Sequence, residues 1–477
     1  MRKIQKHILL LIFILGISLQ PVFAQLSGGG EGNPRLHTNQ QALKKWQDMR
    51  FGMFVHWGPV TLRGTEIGWS RGAVVPKKDY DSLYKEFDPV LFDADKWVKT
   101  AKEAGMKYLI ITAKHHDGFC LWDSQYTEYD IMNTPYKKDI VKALADACKK
   151  QGIIFGIYYS ILDWHHSDYP AEYPNFEADF PLSDYGEGLA KYGKANQAGG
   201  YTSEAQHRSM GRYVRYMKNQ LKELVENYDP QILWFDGYWE WPWTHKMGMD
   251  LYAYLRDLKS DLLINNRIDK RQNALENPDI AGKFAGDFKT PEQQVGNYDT
   301  QTPWESCITI AHQWAWKPND HLKSNDDLVK LVLNTVGGDG NLLLNVGPMP
   351  DGRIEQRQID RLKKLGQWIK QHKEAIYGTM GGPYVPTETL ASTRRGNHIF
   401  IHLLKKPGSQ WKLPLPNGVR IESAHFMSNG QRVPIQSKQG EVKFDLPDNL
   451  PGSSVSVIEL IIDQNAEQLD TIRRFRY

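Results

Sequence analysis

Residues 107–160 read KYLIITAKHHDGFCLWDSQYTEYDIMNTPYKKDIVKALADACKKQGIIFGIYYS. The stretch opens with a near-continuous apolar run, YLIITAKHH (108–116). An amphipathic stretch follows, DIVKALADACKKQG (139–152), with Ile140, Ala143, Leu144 and Cys148 on one face. A second apolar run, IFGIYYS (154–160), begins just past Gly152, a residue suited to closing a helix. Apolar runs without polar alternation suit strands covered on both faces. Strand, crossover helix and strand form the unit of a parallel sheet.

Outward from this unit, the same alternation runs from about Gln40 to Gly378. Further strand candidates are MFVHWG (53–58), ILWFDG (232–237), LLINNR (262–267) and LLLNVGP (342–348). Helical patterns lie in DKWVKTAKEAG, YVRYMKNQLKELVENY, LYAYLRDLK, DDLVKLVLNTV and IDRLKKLGQWIKQHKEAIYG. Their number and length predict an α/β fold, a (β/α)8-type barrel, over residues 25–382. Residues 161–206, rich in Tyr, Pro, Asp, His and Gly, read as a long loop insertion. Residues 270–325 are irregular, with only short apolar runs. Long loops after barrel strands are where such enzymes place their sites. After Gly382 the pattern shifts to short alternating strands: HIFIHLLKK, WKLPLP, ESAHFM, VKFDLP and SSVSVIELIID. They predict a small antiparallel β-sandwich domain over 383–477. The tail QNAEQLDTIRRFRY shows no partner in its pattern.

The N-terminus reads as an export signal over residues 1–24: basic MRKIQKH, the apolar run ILLLIFILGI, and a small-x-small site at Val22 and Ala24. The apolar run is shorter than the roughly 20 residues a bilayer needs. A secreted or periplasmic protein starting near Gln25, with no membrane span after cleavage, is expected. No Cys follows the cleavage point to carry a lipid anchor. The formal net charge of +3 and the lack of a basic run give no footprint for nucleic acid. The 15 Trp and 23 Tyr suit stacking on sugar rings, or a large aromatic core. Three cysteines, Cys120, Cys148 and Cys307, allow at most one disulfide. No CxxC or His-x-x-x-His spacing marks a metal site.

Several strand candidates end in ionisable residues. MFVHWG presents His56, TAKHHDGF presents His115 and His116, and ILWFDG presents Asp236. In a barrel such ends converge on one mouth. Asp236 follows four apolar residues and precedes Gly237. It could also cap the next helix. A second carboxylate comes from Asp287 or Glu292 in KFAGDFKTPEQQVG, or from Glu305 in TPWESC. Sugar cleavage needs two carboxyls, one of them a proton donor. Composition alone does not choose the pair.

Taken in order from about Trp46 through Gly382, RFGMFVHWG, ITAKHHDGFCLWDS, FGIYYS, LWFDG, GDFKTPEQ, WESC and LLLNVGP resemble the family 29 glycoside hydrolases, the α-L-fucosidases. The C-terminal β-domain is also similar to the family's arrangement. The resemblance implies retaining hydrolysis of terminal α-L-fucose through a covalent fucosyl-enzyme, with Asp236 as nucleophile. It implies Glu292 as acid/base, with Glu305 in reserve and Glu66 third. It implies fucose binding by His56, Glu66, Trp69, His115, His116 and Trp234, and by Tyr159 in preference to Tyr158. Trp316 or Trp314 would wall the fucose methyl, with Trp316 the residue carried forward. Neither cofactor nor metal is implied, because proton transfer and the covalent intermediate carry the reaction. The partners implied are fucosylated oligosaccharides or glycoconjugates.

Three competing readings stay open at this stage. One is a hydrolase of another sugar on the same barrel. Another is a non-catalytic sugar-binding protein. The third is a metal-dependent hydrolase using His115, His116 and Asp117, against which the opposite facing of adjacent strand residues argues.

Overall fold

The computed structural model describes residues 36–170, 204–240, 242–270 and 285–473, apart from 409, 417, 439 and 452–454. The leader over 1–24 and most of the 161–206 segment lie outside the described residues. No described helix is long and apolar enough to cross a membrane.

Seven parallel strands form the main sheet: β1 (Phe51–Val55), β2 (Tyr108–Lys114), β3 (Ile154–Ser160), β4 (Ile232–Asp236), β5 (Leu263–Ile264), β6 (Glu305–Thr309) and β7 (Asn341–Val346). Their order is β5-β4-β3-β2-β1-β7-β6. Helices such as Ala94–Glu103, Ile140–Gln151, Asn325–Gly337 and Gln356–His372 alternate with the strands. Asp139 caps the second of these through the Lys142 amide, and Gly152 ends it at φ 73, a left-handed conformation that costs glycine little.

The sheet is curled. Five steps separate β4 from β6, roughly 24 Å in a flat sheet at about 4.8 Å per strand. Yet the Trp234 indole of β4 donates to Glu305 of β6 at 3.0 Å, and Tyr108 of β2 donates to the same carboxylate at 2.5 Å. These bonds span the interior. That interior is filled by Phe54, Tyr108, Ile110, Tyr158, Ile232, Trp234, Leu263, Phe288, Cys307 and Leu343. The alternate strand residues, such as Val55, Ile111, Tyr159, Phe235 and Leu344, face the helical layer.

The eight-stranded expectation needs refinement. Among the described residues, β5 and β6 are edges, and an irregular segment stands between them. It is tied by single bridges, Asn265 to Phe288 on one side, and Lys289 to Trp304 and Glu292 to Cys307 on the other. Pro291 lacks the amide a ladder would use, and Gln293 takes a φ of 53. β6 itself lies within the stretch read as irregular. Its sequence, ESCIT, starts on a buried acid and offers no long apolar run.

Beyond the parallel sheet stand two antiparallel sheets. One pairs β8 (Met380–Gly381), β9 (Leu390–Arg395), β10 (His398–Leu403), β12 (Ile421–Phe426) and β15 (Ser456–Ile462); the other pairs β11 (Gln410–Pro414), β13 (Ile435–Lys438) and β14 (Glu441–Asp445). A shared apolar cluster joins them, with Ile401, Phe426 and Ile458 from the first and Trp411, Leu413 and Phe444 from the second. The tail does have partners. Ile472 bridges Tyr384, and Arg394 donates to the carbonyls of Ala466 and Leu469. Carbonyl contacts leave no trace in a side-chain pattern. All three cysteines are buried free thiols.

Candidate active site

The end of β4 and the irregular segment between β5 and β6 bring Asp236 and Glu292 to one guanidinium. Arg267 Nη1 donates to Asp236 Oδ1 at 3.0 Å and to Glu292 Oε2 at 2.8 Å. The two carboxylate oxygens are therefore separated by no more than the sum of those distances. Retaining glycosidases hold their pair about 5–5.5 Å apart. Arg267 is buried, and its second nitrogen is anchored by the Thr290 carbonyl. Asp236 is 13% exposed and Glu292 41% exposed, so the pair opens outward. Arg267 was not singled out from the sequence. Two asparagines, Asn265 and Asn266, separate it from the apolar residues 262–264, so it does not follow its run directly as Asp236 follows ILWF.

The tautomers of His56 and His116 follow from their hydrogen bonds. Asn345 donates Nδ2 to the Trp314 carbonyl at 2.8 Å, so its Oδ1 accepts from His56 Nδ1 at 2.7 Å. His56 Nε2 is left as an acceptor. Ser160 donates to the Leu162 carbonyl at 2.7 Å and so accepts from His116 Nδ1 at 2.7 Å. His116 Nε2, also an acceptor, lies 3.8 Å from Asp236 Oδ2. Burial pushes both His56 and His116 down to about 3. Burial, with His116 and His56 adding to it, holds His115 well below the usual range. The His115 and His116 rings stand side by side, centroids 4.1 Å apart. The opposite facing expected of strand neighbours does not apply, because β2 ends at Lys114.

Two aromatic assignments are corrected. Tyr158, not Tyr159, reaches the site: its hydroxyl donates to Asp236 Oδ2 at 3.3 Å, and His115 stacks on its ring. Tyr159 points to the helical layer and donates to Gln220 at 2.7 Å. Strand alternation permits only one of the pair inside. Likewise Trp314, not Trp316, packs against His56, at 4.7 Å between centroids. Trp316 turns away to Glu355, at 3.2 Å. The segment is a loop, so no periodicity could have chosen between them.

The other acids divide clearly. Asp287 is buried and accepts from Thr38, Tyr252, Arg256 and the Ile264 amide, a structural knot. Glu305 is buried beneath Trp234, and burial pushes its carboxyl up to about 7. Trp234 carries the Arg267 guanidinium over its ring at 4.8 Å. Trp69 stands edge-on to His116 at 5.4 Å, with Trp164 and Trp239 beside it. Neither Trp164 nor Trp239 was read from the sequence, since both belong to loops.

Glu66 accepts from the amides of Ile67, Trp314 and Ala315, so it holds the Trp314 loop. Burial pushes it up to about 7, against the pull of those bonds. A raised folded-state value means stability present below the unfolded value of about 4.3 and lost as pH rises through about 7. Glu66→Gln is therefore expected to lower the thermal midpoint overall but to lose less between pH 4.5 and 7.5 than the parent. Midpoints measured at the two pH values check this; parallel losses would remove the assignment.

The chain is similar in sequence and fold to known alpha-L-fucosidases. The family model described as alpha-L-fucosidase matches residues 32–374. An alpha-L-fucosidase of Branchiostoma floridae is 28% identical over 403 residues, 78% of this chain and 79% of its own. The plasma alpha-L-fucosidase of Homo sapiens is 29% identical over 364 residues, 71% of this chain and 70% of its own. Among solved structures, alpha-L-fucosidase isoenzyme 1 of Paenibacillus thiaminolyticus is 32% identical, with TM-score 0.73 over 89% of this chain and 99% of its own. A Bacteroides thetaiotaomicron alpha-L-fucosidase, a trapped covalent intermediate in complex with 2-fluoro-fucosyl fluoride, is 26% identical, with TM-score 0.76 over 92% and 99%. The chain thus belongs to the alpha-L-fucosidase family, glycoside hydrolase family 29.

Proposed function

We propose that this protein is a retaining exo-α-L-fucosidase acting on terminal fucose of oligosaccharides or glycoconjugates. The observation that carries this is the single Arg267 Nη1 atom within hydrogen-bond reach of both Asp236 and Glu292. Asp236 attacks the anomeric carbon while protonated Glu292 gives its proton to the leaving oxygen. The fucosyl ester then has no charge on Asp236, and Glu292 is a carboxylate. Arg267 thus faces one negative charge in both states. Glu292 next takes a proton from water, which attacks the ester and regenerates Asp236. The acceptor nitrogens of His56 and His116 suit sugar hydroxyl donors. The Trp314 face suits the methyl group, which has no hydrogen bond to lose.

The test is the configuration of the first product. Proton NMR of an aryl α-L-fucoside digest is expected to show α-L-fucose before mutarotation, with an aryl α-galactoside turned over far more slowly. Initial β-L-fucose would overturn the double displacement.

A further inference from the structure

Glu305 has no part in the reaction as proposed, yet its side chain is placed with care. It is fully buried, and accepts from the Tyr108 hydroxyl at 2.5 Å and from Trp234 Nε1 at 3.0 Å. Trp234 is itself a platform. Tyr158 stacks on it at 5.6 Å and 20°, and the Arg267 guanidinium lies 4.8 Å over its ring. Those are two groups that bond Asp236, Tyr158 to Oδ2 and Arg267 to Oδ1. Glu305 bonds the indole edge through Trp234 Nε1 and is in hydrogen-bond contact with neither Tyr158 nor Arg267.

We propose that Glu305 is a positioning residue for the fucosidase reaction, pinning the Trp234 indole against which Arg267 and Tyr158 are seated. The inference rests on the reading of Asp236 and Glu292 given above. Without the carboxylate, the buried indole N–H has no acceptor. The ring is then free to turn, and it carries the guanidinium with it. Displacements near 1 Å at a reacting centre cost on the order of 10²-fold in rate. Glutamine retains the arrangement: its carbonyl oxygen accepts from Trp234, and its amide donates to Tyr108, whose hydroxyl can accept.

The experiment is a comparison of Glu305→Gln and Glu305→Ala, each also made in a Trp234→Phe background, on an aryl α-L-fucoside with and without azide. Glu305→Ala is expected to lose about 10²-fold in kcat/KM, mostly in kcat, with no azide rescue. Glu305→Gln should stay within about five-fold of the parent, and in the Trp234→Phe background the Ala loss should shrink to about three-fold or less, the non-additivity of residues acting as a unit. If Glu305→Ala melts below assay temperature, Glu305→Met replaces it, filling the volume without an acceptor. Azide rescue of Ala, with Gln equally impaired, would make Glu305 the acid/base and overturn the inference. An undiminished loss in the Trp234→Phe background would overturn it as well. Failure of the underlying reading looks different: Glu292→Ala would then show no rescue, whatever the cycle gives.

Discussion

Asp236→Asn is expected to abolish turnover while the protein melts close to the parent temperature. Removal of a covalent nucleophile costs on the order of 10⁴–10⁶-fold in kcat, about 5–8 kcal/mol of barrel-mouth chemistry at 1.36 kcal/mol per tenfold. Asparagine is the informative substitution because of Arg267. Its amide oxygen still accepts from Nη1 or from Tyr158, so the buried guanidinium keeps a partner besides Glu292. Asp236→Ala removes that acceptor from a buried ion pair, a change worth roughly 3–5 kcal/mol, and should lower the midpoint as well as the rate. A 2-fluoro-fucosyl fluoride is expected to inactivate the parent and label Asp236, read by peptide mapping, and to leave Asp236→Asn unlabelled. A label on Glu292 or Glu66, or near-parent turnover by folded Asp236→Asn, would end the nucleophile assignment.

The parallel sheet was legible because β1 to β4 and β7 are apolar on both faces, so their runs stand out from the amphipathic helices. β6 was not. Its residues facing the interior include Glu305, an acid satisfied by Tyr108 and Trp234, and a buried acid looks like a loop acid until its partners are known. The closing edge was hidden for a related reason. Single bridges at Phe288, Lys289 and Glu292 impose no repeat on side chains. Within the site, Asp236 is marked by following an apolar run directly, whereas Arg267 stands two asparagines beyond the apolar residues 262–264 and carries no such mark. Choices between near neighbours failed where local geometry decides. Tyr158 and Tyr159 are both large aromatics on one strand, and only the register with β4, which sets Tyr158 beside Trp234, tells which faces inward. Trp314 and Trp316 depend on a loop held by Glu66 from some 250 positions earlier. Such long-range hydrogen bonds have no signature in the chain itself.

Glu292→Ala is expected to lose about 10²–10⁴-fold on glycosides with poor leaving groups, the range for positioned proton transfer. An alkoxide leaving group cannot depart without that proton. A dinitrophenolate can, so the first step on an activated aryl fucoside should lose far less. The second step then limits, since nothing deprotonates the attacking water. Azide needs no base, and the space left by the Glu292 side chain, which is partly exposed, gives it a path to the anomeric carbon. Turnover is therefore expected to rise with azide concentration and to yield α-L-fucosyl azide, because a second inversion displaces the β-configured Asp236 ester by an external nucleophile. Substitution also leaves Arg267 with Asp236 as its remaining carboxylate partner of the two. The ester-forming carboxylate is then more tightly held, so part of the loss should appear in the first step even on activated substrates. Product analysis decides the matter. α-L-fucosyl azide from Glu292→Ala assigns the acid/base, whereas the same product from Glu305→Ala alone, with none from Glu292→Ala, would transfer the role to the buried acid.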